Sequence, residues 1–142
     1  MPTELALFTA TTNTLFLLAI FLGGSASAQI PPTMHSNGIS YITGGVGEDE
    51  STAIVAEAKL WPLLLELSQL ENGRGVWIFG ANIKEVNANK QTIFDAQADG
   101  PYMLINLSAG DYVVVATYQG VEQKRSISVK ANTPQKISIF WK

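Results

Sequence analysis

The stretch Gly44-Gly45-Val46-Gly47-Glu48-Asp49-Glu50 sets three glycines directly ahead of three carboxylates, a composition that can cradle an anion, hold a cation or open a helix. A phosphate loop uses free backbone N–H groups and a following Lys, as in G-x-x-x-x-G-K-[ST]. Here Glu48, Asp49 and Glu50 stand where the anion would sit, and their repulsion argues against phosphate. Calcium asks for D-x-[DN]-x-[DN]-G, which is missing. The same acids suit a helix N-terminus, where each contributes about 0.3–1 kcal/mol with the macrodipole, and Asp49 or Ser51 is the expected N-cap. The loop therefore reads first as a glycine connector into a capped helix. Its second reading is a partner-binding site formed by Gly44, Gly45, Gly47, Glu48, Asp49 and Glu50, because function concentrates on conspicuous loops.

Other chemistry is thin. The one histidine, His35 in "TMHSNG", has no second His and no Cys near it to share a metal. It also lacks a G-x-S-x-G elbow to serve in a Ser-His-Asp arrangement. No cysteine is present, which removes thiolate chemistry and disulfides. Twelve Asp and Glu residues leave room for a pair acting on a glycosidic bond, but nothing in their spacing selects one. Trp61, Trp77, Trp141, Tyr102 and Tyr118 can stack on sugar rings; their alternation with polar residues fits core burial better, least so for Trp77 among apolar Val76, Ile78 and Phe79. No cofactor or metal is expected.

These residues must be positioned by a chain of 142 residues with net charge -3 and nine scattered Lys and Arg, too acidic to track a nucleic-acid backbone. Residues 1–28 carry the apolar run "LFLLAIFL" and end in Ala26-Ser27-Ala28, an A-x-A signal-peptidase pattern that predicts cleavage before Gln29. The n-region has no Lys or Arg. The apolar run falls short of the ~20 residues that span a bilayer, so the membrane is met only in transit, and the destination is secreted or periplasmic.

Residues 29–43 read as an extended leader, poorly packed around Pro31-Pro32, with a short strand over Ile39–Thr43. Residues 44–61 hold the acidic loop and a short helix, with Ile54, Ala58 and Trp61 on one face; Pro62 stops it. From residue 62 to 142 the pattern is β. "LLLELSQ", "VWIFGANIKEV", "QTIFDAQ", Tyr102–Leu107, Tyr112–Tyr118, "KRSISVK" and "KISIFW" give about seven short strands separated by turn residues. Tyr112–Tyr118 is apolar on both faces and reads as a strand covered on both sides. Ile127 and Val129 face inward, as do Ile137, Ile139 and Trp141. The expected fold is all-β, a seven-stranded antiparallel Greek-key sandwich with one short N-terminal helix.

"DGPYMLINLSAGDYVVVATYQG", followed by "KRSISVK" and "KISIFW", resembles the carboxypeptidase regulatory-like domain, a transthyretin-like sandwich with an L-x-x-G-x-Y signature. Here the signature is Leu107, Gly110 and Tyr112, with Gly120 closing the hairpin. The wider layout is similar to small exported proteobacterial proteins with a signal peptide, a "GGVG" plus acidic stretch and this sandwich. Many members have Pro where this chain has Ala109, which loosens the turn. The resemblance implies a tyrosine corner at Tyr112 and a non-catalytic module that binds or supports an envelope protein or glycan. A transthyretin-like hydrolase of 5-hydroxyisourate uses several histidines and a C-terminal tyrosine-arginine-glycine motif, whereas this chain has His35 alone and ends in "IFWK". Two other readings follow from the residues: a carbohydrate-binding module using exposed aromatics, and a small hydrolase.

Overall fold

The computed structural model describes residues 29–142, so the expected signal peptide over 1–28 lies outside the described residues. Ten strands and one α-helix follow in the order β1 (Met34–Ser36), β2 (Ile39–Gly44), α1 (Glu48–Glu57), β3 (Leu63–Glu71), β4 (Arg74–Trp77), β5 (Asn82–Asn87), β6 (Thr92–Gln97), β7 (Tyr102–Ile105), β8 (Gly110–Tyr118), β9 (Val121–Val129) and β10 (Gln135–Trp141). One sheet runs β1-β2-β7-β3-β10 with β4 also paired to β3; the other runs β6-β5-β8-β9. No helix among the described residues is long and apolar enough to cross a membrane.

The chain is mostly β as the sequence predicts, but with ten strands instead of seven, and the pairing is not wholly antiparallel. β10 lies parallel to β3 from Gln135↔Leu63 to Trp141↔Gln69, because the chain leaves β9 in the second sheet and crosses to the first at the end where β3 begins. Strand count rises for two reasons. "VWIFGANIKEV" breaks at Gly80 (φ 95), where Gly80 N–H donates to Ala98 O and Ala98 N–H to Ala81 O, both at 2.8 Å. This clamp carries the chain from β4 to β5 across the two sheets. The leader also pairs: Asn37 (φ 49) and Gly38 (φ 81) form a two-residue turn with both φ positive, which matches the right-handed twist of a hairpin. β1 thus joins β2 where a loosely packed segment was expected. Asn72-Gly73 and Gln119-Gly120 close hairpins in the same way.

Between the sheets lies the main core, built by alternate residues such as Leu63, Leu65 and Leu67 of β3, Val114 and Ala116 of β8, and Ile139 and Trp141 of β10. A second, smaller core covers the outer face of the first sheet, where Ile54 of α1 packs with Ile42, Leu64, Tyr102 and Leu104. The strand buried on both faces is therefore β7, all four of whose residues are buried. β8 is a correction to the sequence reading: Tyr112, Val114 and Ala116 are buried, while Val113 and Val115 are only half-buried. The helix covers the other sheet, so the outer face of β8 meets only its lateral neighbours.

Candidate functional site

The acidic loop closes on itself. Gly45 (φ 97) and Gly47 (φ 95) take backbone conformations that favour glycine, and a Cβ on Gly45 would lie 2.6 Å from the Tyr102 ring. Gly45 N–H donates to Glu50 Oε1 at 2.7 Å, so a carboxylate of the chain itself fills the donor that a bound anion would use. The N-cap is Gly47, without a side-chain cap; the expected caps fail because Asp49 and Ser51 already lie within the helix, where Ser51 Oγ donates to Glu48 O at 3.0 Å. No group of three His, Cys, Asp or Glu among the described residues could hold a metal ion. His35 is exposed on β1.

The signature residues sit at the sandwich seams. Leu107 is buried. Tyr112 Oη donates to Ser108 O at 2.8 Å, the geometry of a tyrosine corner. Gly110 opens β8 at φ 156, a positive φ that residues with a side chain rarely adopt, although a Cβ there would meet the Tyr112 ring only at ordinary contact distance. Gly120 (φ 79) completes the β8–β9 hairpin.

The aromatics divide by place. Trp141 is buried against Tyr118, ring centroids 5.7 Å apart, and its Nε1–H donates to Val121 O at 2.9 Å. Trp61 packs on the helix-covered core. Trp77 is 48% exposed and Phe79 is 68% exposed. Both stand at the end of the sandwich formed by the β3–β4 and β8–β9 hairpins, together with exposed Leu70, Val76, Val121 and Phe140. A groove of about 470 Å³ opens there, lined by Trp77, Phe79 and Tyr118 and by the polar Gln69, Glu71 and Gln119. Trp77 pairs with Ser68, so its ring lies on the outer face of the sheet while Gln69 and Glu71 face the other way. Flat apolar rings beside amide and carboxylate groups can stack on a sugar face and hydrogen-bond its hydroxyls. One carboxylate lines this groove, whereas glycoside hydrolysis needs a pair.

Trp77 is held by a polar relay on the outer face of the first sheet. Its ring meets the edge of Tyr102 at 5.7 Å. Tyr102 Oη donates to Glu66 Oε2 at 3.2 Å, while Ser138 Oγ and Lys136 Nζ approach Glu66 Oε1 at 3.2 and 3.1 Å. Partial burial alone would raise the Glu66 pKa; the hydrogen bond and charge of Lys136, with Tyr102 and Ser138, outweigh it and hold the carboxyl below its ordinary range. Burial, then the charge and hydrogen bond of Glu66, push the Tyr102 phenol up. The register explains the relay, since Ser138, Glu66 and Tyr102 are direct cross-strand neighbours on one face.

The sequence reading missed Glu85. It faces the main core from β5, fully buried, with neither carboxylate oxygen hydrogen-bonded. Its cross-strand neighbours are Val114 and Phe94, and the β5–β6 ladder slips beside it, between Glu85 and Val86. Burial pushes its pKa up to about 8, and the Tyr112 phenol is raised by burial and by the nearby Glu85. Period two carries the signal that finds it: Glu85 has the same parity as Ile83.

No family model matches the chain, and no curated protein matches it.

Proposed function

We propose that this protein is an exported, non-enzymatic binding module of the bacterial cell envelope, with the Greek-key, transthyretin-like character of a carboxypeptidase regulatory-like domain. It engages a glycan through the aromatic end of the sandwich. The observation that carries this reading is the exposed Phe79 with Tyr118 beside Gln69, Glu71 and Gln119 in one groove, flanked on the outer face of the sheet by the half-exposed Trp77. Large aromatic rings left in water cost free energy unless something covers them, and the amides and acid among them suit hydroxyl-rich ligands better than a purely apolar one. The reading of Met1–Ala28 as an export signal supports the compartment.

A second reading, docking of an envelope protein, is favoured by the aliphatic fringe of Leu70, Val76 and Val121 around the rings. Sedimentation with peptidoglycan and with insoluble polysaccharides compares the wild type with Trp77→Ala/Phe79→Ala. Retention of the wild type and its loss in the variant, with unchanged melting, is the expected result. Retention on no glycan, with a protein crosslink at this end that the variant loses, replaces the glycan by a protein. A variant that keeps every interaction of the wild type refutes the aromatic end as the binding site.

A further inference from the structure

The end of the sandwich opposite the aromatic groove holds a second cleft, of about 560 Å³, a size typical of small-molecule sites. Its polar rim comprises Lys59, Lys130, Asn106, Asn132 and Thr133, and no Asp or Glu lines it. In a chain of net charge -3 this is a local reversal of sign. Among the described residues the ion pairs are Lys124–Glu122 and Lys136–Glu66, so both rim lysines keep their charge uncompensated. The floor is apolar: Leu107 and Val129 are buried there, beside Trp61. Glu57, which accepts from Trp61 Nε1–H at 3.4 Å, steadies the indole without lining the cleft.

Backbone bonds fix the walls before any ligand arrives. Gln135 N–H donates to Pro62 O at 3.0 Å, tying the β9–β10 loop to the segment ahead of β3. Thr133 N–H donates to Lys130 O at 3.3 Å across a turn in which Asn132 takes φ 56. Asn106 N–H donates to Ser40 O at 3.0 Å, and Trp61 N–H to Ala58 O at 3.1 Å. The latter bond occupies a carbonyl at the helix end that would otherwise repel an anion. A preformed cleft of this kind loses little conformational freedom on binding.

We infer that this cleft binds a small amphipathic anion, a carboxylate or phosphate ester on an apolar body, with its charged group between Lys59 and Lys130 and its body on Leu107, Val129 and the Trp61 ring. The side-chain amides of Asn106 and Asn132 supply hydrogen-bond donors to the anion, and hydrogen bonds to a charged acceptor are the stronger kind. The Thr133 hydroxyl donates to Ala131 O at 3.1 Å and braces the turn instead. This site is separate from the aromatic groove and does not depend on it.

The test is a titration of the purified protein with 4-phenylbutyrate, followed by amide and indole NMR shifts, beside its neutral counterpart 4-phenylbutanol. Saturable shifts at 59–62, 106–109 and 129–134 are expected, with a Kd of ~1 mM or tighter. Added salt should weaken the affinity. Lys59→Gln/Lys130→Gln, both surface changes, should weaken it at least about fivefold while leaving the spectrum of the free protein folded. Equal affinity for the alcohol, an unaffected double variant, shifts confined to Trp77 and Phe79, or no saturable shift at the cleft would each overturn the inference.

Discussion

Glu85 makes the stability of the fold depend on pH. A carboxylic acid enclosed among Phe94, Val114 and Tyr112 without a hydrogen-bond partner is stable only while neutral, because ionising it in an apolar interior costs far more than in water. Its pKa is about 8 in the fold against 4.5 for the free side chain. The native state therefore binds more protons than the unfolded chain between these values. Stability is full below the unfolded pKa, falls as pH rises, and levels off above the folded pKa. At ~1.4 kcal/mol for each pH unit crossed, the loss from pH 5 to pH 8 reaches several kcal/mol. Glu85→Met fills a similar volume without a charge. Urea melts at both pH values should show a steep pH dependence in the wild type and a flat one in the variant, which is the more stable at pH 8. Equal slopes would mean that Glu85 ionises freely. The position was legible as inward-facing from the parity of Ile83 and Glu85; the absence of a partner was not, since that depends on which side chains the opposite sheet brings over it.

The glycine-acid element carries its constraint in backbone spacing instead of charge. Gly100 packs so closely on Gly44 that an added Cβ would collide with the Gly44 carbonyl, a backbone group that cannot swing aside. Gly100→Ala should destabilise the domain by about 1–3 kcal/mol or more, as overpacking does. Glu48→Gln with Asp49→Asn should cost no more than about 0.3–1 kcal/mol for each charge lost from the first turn. Glu50→Gln keeps an acceptor for Gly45 N–H and belongs with the mild changes. Thermal melts of the three variants separate these effects, and a Gly100→Ala protein as stable as the wild type would contradict the close approach. The sequence shows this element well as far as its own residues determine it. "GGVG" announces unusual φ values, and Ile54 announces the buried helical face. Trp61, expected on that same helical face, packs on the same small core from extended backbone after the helix has ended. Gly100 lies 56 positions from Gly44, and no local pattern links them. The hairpins divide in the same way: Asn72-Gly73 and Gln119-Gly120 were legible as turns between apolar runs, whereas Asn37-Gly38 was obscured by the polar, proline-bearing leader around it.

At the scale of the whole molecule, the two sheets leave two ends open, and the chain uses them differently. Crossings from sheet to sheet bring the β3–β4 and β8–β9 hairpins to one end and the Trp61–Pro62 and Lys130–Pro134 segments to the other. Each end thus gathers residues distant in sequence, which is why neither cleft was visible as a motif. Trp77 stood out only because apolar Val76, Ile78 and Phe79 broke the alternation expected of a half-buried strand. The break has a physical cause: Ile78 turns into the core at the crossing while Phe79 is left in solvent. The tryptophans then separate ligand-facing residues from structural ones. Trp141 is almost wholly buried, set edge-on against Tyr118 and hydrogen-bonded to Val121 O, so Trp141→Ala should cost about 3–5 kcal/mol. Trp77 is half in solvent and meets Tyr102 edge-on at 5.7 Å, so Trp77→Ala should stay within about 1 kcal/mol of the wild type. Denaturant melts measure both, and a collapse of the Trp77→Ala variant would make its ring part of the core and remove it from the binding end. If Trp77→Ala stays folded while glycan retention is lost, the ring is exposed for the ligand and not for the fold.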